Sequence, residues 1–273
     1  ILFGIFAEVS VTKLFMAGIL PGLLTGSVYT SMIIFRCWQN PSLAPKVQMD
    51  VTWASRFKSL GAIWPIILLI VSLLVGFYQG ILTATEGGAY GAFTLLVISI
   101  FQGRMSREVF VKSLRSTLVS TASLLWIAVG AIMFTRFLAI TGTADAISDL
   151  VGIWVSGPIS ALLIAAAIFL VLGMFLDPLG ILLLALPIVL PMFRELGMNL
   201  IWIGVLVVKF IEIGLLTPPV GMNVYAIKNV VDDKIPLGTI FTGTFWFLSC
   251  EVLVVTLLIL LPGISLWIPG LLG

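Results

Sequence analysis

Three observations predict an all-α, polytopic membrane protein. Of the 273 residues, 60% are apolar and 10% charged, whereas a soluble domain carries roughly 45–50% and about 25%. The apolar residues come in helix-length blocks, not in the ~10-residue alternations of a membrane β-barrel. Two of these blocks are interrupted by prolines with polar neighbours, the pattern of a helical hairpin and a discontinuous helix. At ~20 apolar residues per crossing, the length accommodates about six transmembrane crossings plus a re-entrant helical hairpin and a discontinuous helix.

The same counts exclude several function classes. The chain has no histidine, which removes His-ligated zinc, haem on a proximal His and Ser-His-Asp catalysis. Cys37 and Cys250 are far apart and form no C-x-x-C pair, so neither a thiolate metal site nor a disulfide framework is suggested. A net charge of +2 is too small to imply a nucleic-acid partner. No G-x-x-x-x-G-K-[ST] pattern occurs, so no ATP site is evident. The charged n-region and cleavage site of a signal peptide are missing, and the chain opens on Ile1 in mid-pattern, as a fragment or processed chain does.

The first span is Leu14–Phe35, softly interrupted by Gly18, Pro21 and Gly22. Arg36 to Lys58 is polar, with Asn40-Pro41 and Ala44-Pro45 as turn signals. Within it, Met49–Lys58 reads as a short helix at the membrane interface, a level that suits Trp53. The second span is Leu60–Tyr78, and the third is roughly Gly88–Phe101, lengthened at its start by Thr83-Ala84-Thr85-Glu86. That segment has the form of a helix start, with hydroxyls to cap free N–H groups and Glu86 favoured by the dipole. Gly87, Gly88 and Gly91 then suit close helix packing. Arg104–Arg115 is a basic amphipathic connector with Val109, Phe110 and Leu114 on one side. The fourth span covers Leu118–Leu138.

Beyond it the pattern changes. Ala144–Val155 is too short and too polar to cross. Ile159–Leu176 runs into Asp177-Pro178, and the apolar Gly180–Met192 follows, carrying Pro187 and Pro191. Next come Ile201–Leu216, the segment Thr217-Pro218-Pro219-Val220-Gly221-Met222-Asn223, and Val224–Val231. The last span, Thr239–Leu261, is closed by Pro262-Gly263.

Charge sets the orientation. If the chain starts outside, loop 36–58 and connector 104–115 are cytoplasmic and hold Arg36, Lys46, Arg56, Lys58, Arg104, Arg107, Lys112 and Arg115, eight of the 14 basic residues. Lys228 and Lys234 also fall inside, provided that segment 158–193 enters and returns without crossing.

The interruptions carry the functional reading. A break at membrane depth survives only inside protein or beside water, because hydrocarbon satisfies no backbone group. Proline at 178 removes a donor and pushes Asp177 out of helical geometry. Pro218 and Pro219 stop a helix, Gly221 adds freedom, and Thr217 and Asn223 bring side-chain oxygens. Where such breaks meet, helix C-terminal carbonyls favour a cation and helix N-termini an anion. Thr217 and Asn223 then supply neutral oxygens and Asp177 a negative charge, suited to sodium. Two plainer readings stand beside this one: both breaks as kinks, since proline is common in membrane helices, and Asp177 as an N-cap. An ionised residue at the bilayer centre costs ~2.5–3.5 kcal/mol on insertion scales and by default marks function. Lys209 and Glu212, three apart on one helix, read as a mutually neutralising pair. Glu212 is also five residues before Thr217, and Glu251 lies inside the last span with no evident partner.

Four segments resemble the large membrane subunit of tripartite ATP-independent periplasmic (TRAP) transporters, in the right order and over nearly the whole chain. They are Lys13-Leu-Phe-Met-Ala-Gly-Ile-Leu-Pro-Gly22, Gly80-Ile-Leu-Thr-Ala-Thr-Glu-Gly-Gly88, Gly173-Met-Phe-Leu-Asp-Pro178 and Gly214-Leu-Leu-Thr-Pro-Pro-Val-Gly-Met-Asn223. Ala84 stands where the family leads one to expect proline. The resemblance implies a multi-pass permease subunit of the bacterial inner membrane, not an enzyme. It further implies a sodium symporter importing an organic acid by an elevator mechanism, with a small membrane subunit and a periplasmic substrate-binding protein as partners. No organic cofactor is expected. Asp177, Pro178, Thr217, Pro218, Pro219, Gly221 and Asn223 are the ion- and substrate-binding candidates, with Thr217 and Asn223 as sodium ligands.

The resemblance also implies inverted repeats, of which this chain would hold the second, C-terminal one. Leu2-Phe-Gly-Ile…Leu14-Phe-Met-Ala-Gly is loosely like Val224-Tyr-Ala-Ile…Ile240-Phe-Thr-Gly, so residues 1–36 are expected to end the first repeat. Residues 37–58 then form a cytoplasmic linker with the interfacial helix, and 59–138 scaffold helices with the basic connector at 104–117. Residues 139–234 hold the transport-domain hairpin (158–193) and broken helix (200–231), and 235–273 the last transmembrane helix and C-terminus. Two other classes remain at this point: a passive channel with the hairpin as pore loop, and an intramembrane enzyme with Asp177 as acid or base.

Overall fold

The computed structural model describes residues 1–44, 52–142, 157–228, 230–231 and 235–271. Among these residues the regular structure is helical: twelve α-helices, one 3₁₀ turn at Pro41–Leu43 and no strand. The chain divides into two compact units, Ile34–Thr121 and a second formed by Ile1–Ile33 with Ala122–Leu271. The segment 144–155 lies outside the described residues.

In the 34–121 unit, α4 (Trp53–Tyr78) packs on α5 (Ala84–Phe101). The start of α5 is as expected. Thr83 caps it, its Oγ1 accepting from Glu86 N at 3.3 Å, while Thr83 N donates to Glu86 Oε2 at 2.7 Å. Of the glycines read as packing residues, Gly87 fits that role, because a Cβ there would overlap the Phe77 ring. Gly88 faces open space.

Two expected boundaries are absent. The interfacial helix at 49–58 and the span at 60–78 are not separate: from Trp53 onward they form one 26-residue helix, and 49–51 lie outside the described residues. The turn-forming prolines all precede Trp53, and nothing between Trp53 and Leu60 stops a helix. Likewise the connector 104–115 and the span 118–138 merge into α6 (Arg107–Ile140), 34 residues without glycine or proline before Gly130. Ser106 starts α6, its Oγ accepting from Val109 N at 3.2 Å. At 1.5 Å per residue α6 is about 51 Å long, well beyond a hydrocarbon core of ~30 Å.

The other unit opens with α1 (Leu2–Ala7), α2 (Val11–Ala17) and the first part of α3 (Ile19–Gln39), Gly18 being the soft break read in the first span. Its core is built by α7 (Pro158–Gly173), α8 (Pro178–Glu195) and α9 (Leu200–Leu216). On α8 the buried residues Ile181, Ala185, Val189 and Phe193 recur every four positions, so one stripe of the helix faces inward. Pro187 and Pro191 lie inside this helix without ending it. The short α10 (Met222–Lys228) and the long α11 (Leu237–Leu260) follow, packed on α9 and on each other.

Pro262-Gly263 closes the last span, with α11 ending at Leu260, and a further short helix, α12 (Gly263–Gly270), begins there and packs on α2. Proline's fixed φ suits a first helical turn, and Pro262 O accepts from Ser265 N and Leu266 N at 3.0 Å. Three stretches among the described residues are long and apolar enough to cross a membrane: Val11–Gln39, Pro178–Glu195 and Leu237–Leu260. The second of these is α8, so length alone lets this arm of the helical pair span the core.

Candidate functional site

The first interruption is a helix-to-helix joint. α7 ends at Gly173, and Asp177 takes the extended conformation (φ −72°, ψ 160°) that a following proline favours. Its Oδ2 accepts from Leu179 N at 3.1 Å and Gly180 N at 3.4 Å, capping α8, and Pro178 occupies the first helical position. Asp177 is therefore the N-cap that the plainer reading offered. It is half-buried, and Oδ1 has no hydrogen bond among the described residues.

The second interruption is the predicted discontinuous helix. α9 stops at Leu216, Thr217 is extended (φ −87°, ψ 135°), the Pro218–Pro219 bond is cis, Gly221 has φ +61°, and α10 starts at Met222. In a continuing helix residues 218 and 219 would donate to the carbonyls of Gly214 and Leu215, but proline has no N–H. Thr217 N recovers the Gly214 carbonyl at 3.0 Å, whereas Leu215 loses the donor that position 219 would otherwise supply. The Thr217 hydroxyl donates to Ile213 O at 2.7 Å, which keeps its oxygen lone pairs free to accept. Gly221 is required by its left-handed backbone, and its carbonyl accepts from Val224 N at 2.8 Å, starting α10.

Two glycines bring these joints to one crossing. A Cβ on Gly173 would lie 2.8 Å from Gly214 Cα, and one on Gly214 would lie 3.1 Å from Phe169 O. The C-terminal turns of α7 and α9 thus touch backbone to backbone, which only glycine permits. Asp177 is four residues beyond this contact on one strand of chain, and Thr217 three beyond it on the other.

Two cavities flank α9. One of about 430 Å³ is lined by Tyr29, Glu212, Asn223 and Thr244 together with apolar residues of α10 and α11. The other, about 330 Å³, is bounded by α1, α2 and α3 and includes Lys209 and Glu212. Asn223 is exposed and faces the larger cavity, whereas Asp177, Pro178, Thr217, Pro218, Pro219 and Gly221 line neither of these two.

The ionisable residues form a cluster that the sequence reading only half anticipated. Lys209 Nζ lies 2.8 Å from Glu212 Oε2, the expected pair, and also 3.1 Å from Glu251 Oε1. Tyr29 donates its hydroxyl to the same Glu251 oxygen, and its ring meets Phe247 edge-on at 5.0 Å. Glu251 is fully buried. A carboxylate inside an apolar span demands a partner, and Lys209 on another span was the available cation; that signal could have found the pair. Nothing in the sequence pointed to Tyr29.

Comparison with known proteins gives these features a family. The family model described as "Tripartite ATP-independent periplasmic transporter, DctM component" matches residues 1–264. The chain is 32% identical to the C4-dicarboxylate TRAP transporter large permease protein of Pseudomonas aeruginosa, over 97% of this chain and 61% of that one. It is 28% identical to the sialic acid TRAP transporter large permease protein of Vibrio cholerae, over 99% and 62%. The same figures hold for the ectoine TRAP transporter large permease protein of Halomonas elongata. The chain thus spans about three fifths of the length of these curated relatives. With a matching model over most of its length, the chain belongs to the DctM, or large-permease, family of TRAP transporters: a multi-pass, all-α transport component of the bacterial inner membrane, not an enzyme.

Proposed function

We propose that the chain is the permease portion of a sodium-coupled, binding-protein-dependent symporter that imports an organic acid by an elevator movement. The observation that carries this reading is the Gly173–Gly214 contact, which ties the Asp177 joint and the Thr217–Asn223 break to a single crossing. In this reading Thr217 and Asn223 give sodium neutral oxygens, helped by the Leu215 carbonyl, which loses its donor at the proline pair. Asp177 supplies negative charge, and Pro178, Pro218, Pro219 and Gly221 keep the backbone unwound where ion and substrate bind. An organic-acid carboxylate is suited to a helix N-terminus. The named relatives handle C4-dicarboxylates, sialic acid and ectoine, so likeness alone singles out no substrate.

The partners are a small membrane subunit and a periplasmic substrate-binding protein. We assign the re-entrant hairpin to 158–193 and the broken helix to 200–231, both within a transport domain at 139–234 that slides against scaffold helices at 59–138. Residues 1–36 then close a first inverted repeat, residues 37–58 are a cytoplasmic linker, and 235–273 form the terminal span. In favour of the repeat, α1 and α2–α3 follow the same order as α10 and α11, a helix of six or seven residues and then a long helical stretch.

Each sodium ion moving down 100 mV contributes ~2.3 kcal/mol, and a tenfold concentration of substrate needs about 1.4 kcal/mol. Two ions taken up with a singly charged anion carry one net positive charge inward, so 100 mV supports roughly fortyfold accumulation before any sodium gradient is counted. Uptake by the complete transporter in proteoliposomes tests the reading. Thr217→Ala and Asn223→Ala should each shift the sodium titration at least about tenfold upward, equivalent to losing roughly 1.4 kcal/mol of ion binding. A titration unchanged in both variants rules the assignment out, and a steady, non-saturating current would favour a channel instead.

A further inference from the structure

The two cavities beside α9 differ in the charges that line them. Glu212 lines both, but Lys209 lines only the smaller one, so acid and base stand together there. The larger cavity holds the Glu212 carboxylate and, among the described residues, no basic side chain. Glu212 Oε2 takes the Lys209 ammonium at 2.8 Å, whereas Oε1 has no hydrogen bond among the described residues. Lys209 is also shared with Glu251, at 3.1 Å. With its side chain 41% exposed, Glu212 keeps one acceptor oxygen open to whatever fills the larger cavity.

The rest of the lining decides which kind of cation fits. At about 430 Å³ the cavity has the size of a small-molecule pocket, ~300–1,000 Å³. A hard metal ion needs several oxygens converging at short range. Here one carboxylate is joined by the Asn223 amide and the Thr244 hydroxyl, and the remaining wall is aliphatic, from α9, α10 and α11, and aromatic, from Tyr29 and Phe247. The Thr244 hydroxyl already donates to Ile240 O at 2.9 Å and the Tyr29 hydroxyl to Glu251, so neither has a proton left to give an anion. Aromatic rings attract cations, quaternary ammonium groups above all. A positive charge clad in carbon therefore satisfies the acid and the apolar wall together. The place matters too: the cavity is lined by Leu216, the last residue of α9, and by Asn223, the second of α10, on either side of the unwound stretch.

We propose that the larger cavity binds an alkylated ammonium group through Glu212, and that the solute carrying this group is a zwitterion, an organic acid that also bears a positive charge. Lys209 holds one oxygen of Glu212 in place and leaves the other for the ligand. Tyr29 and Phe247, in edge-on contact at 5.0 Å, add aromatic surface to the same wall. Glu212 is then the residue that sets specificity, by favouring a zwitterion over a plain anion of the same shape. The cation site stands on the cavity lining alone; that its ligand is also an acid rests on the proposed function.

The test is equilibrium dialysis of two probes against the purified full-length permease with its small subunit, in sodium and without the binding protein. Glycine betaine and tert-butylacetate share their shape and their carboxylate, and differ in a quaternary nitrogen against a quaternary carbon. The wild type should bind betaine at least about tenfold more tightly. Glu212→Gln keeps the size of the side chain and removes its charge, and should bring the two probes to within about twofold. Phe247→Leu should weaken betaine and leave tert-butylacetate unchanged, so a folding failure of one variant leaves the other to decide. Tetramethylammonium separates the two parts of the proposal. Its competition with betaine supports the cation site, while affinity equal to that of betaine overturns the zwitterion and leaves the site. Equal binding of the two isosteres by the wild type, a preference that survives in Glu212→Gln, or no saturable binding of betaine and tetramethylammonium overturns the site itself.

Discussion

At Asp177 one carboxylate oxygen holds the two N–H groups of the first turn of α8 while the other makes no bond among the described residues. Capping and ion binding can therefore be parted by substitution. Asparagine caps about as well as aspartate, whereas alanine loses about 1 kcal/mol. Asp177→Asn should keep the thermal stability of the purified permease and weaken its sodium affinity, while Asp177→Ala should lower both. Thermal unfolding and sodium titration measured on the same preparations check this; equal sodium affinity in wild type and Asp177→Asn leaves Asp177 as a cap alone. The cap was legible in the sequence because the residue before a proline and the N-cap favour the same extended backbone. The Tyr29–Glu251 contact was not, because it joins residues 222 positions apart on helices whose packing the sequence does not give.

The helix joints depend on what lies between backbones. Gly173 and Gly214 sit in backbone-to-backbone contact, where a methyl group on either would lie only 2.8 Å from the other's Cα, while Gly88 has open space. Gly173→Ala and Gly214→Ala should each destabilise the purified protein by about 1–3 kcal/mol, the usual cost of overpacking. Gly88→Ala should be neutral or stabilise by up to about 1 kcal/mol through helix propensity. Thermal or denaturant unfolding of the three variants checks the contrast, and equal losses in all three would contradict it. The breaks at 177 and 217–221 were readable because proline removes a donor wherever the helix lies. The boundaries expected inside 49–78 and 104–138 are absent for a related reason. Polar and basic residues such as Arg56, Lys58, Arg107 and Lys112 mark a change of solvent, which a helix can pass through without stopping. Pro262 both closes the last span and starts α12, because proline ends one helix and begins another equally well.

Across the whole molecule, composition was enough to fix the class, since 10% charged residues cannot cover a water-soluble surface. The motif order was enough to point to the family. What composition and motifs could not give is which oxygens converge, because that depends on how α7, α9 and α10 cross. The proposed function requires the Asp177 joint and the Thr217–Asn223 break to meet around one cation. A density map of the complete transporter in sodium, resolved well enough to show an ion, tests this most directly. A density peak is expected between residues 177–180 and 217–223, coordinated by Thr217 and Asn223 and absent when sodium is replaced by choline. An unwound segment with no such peak in sodium, or a peak that persists unchanged in choline, would contradict it.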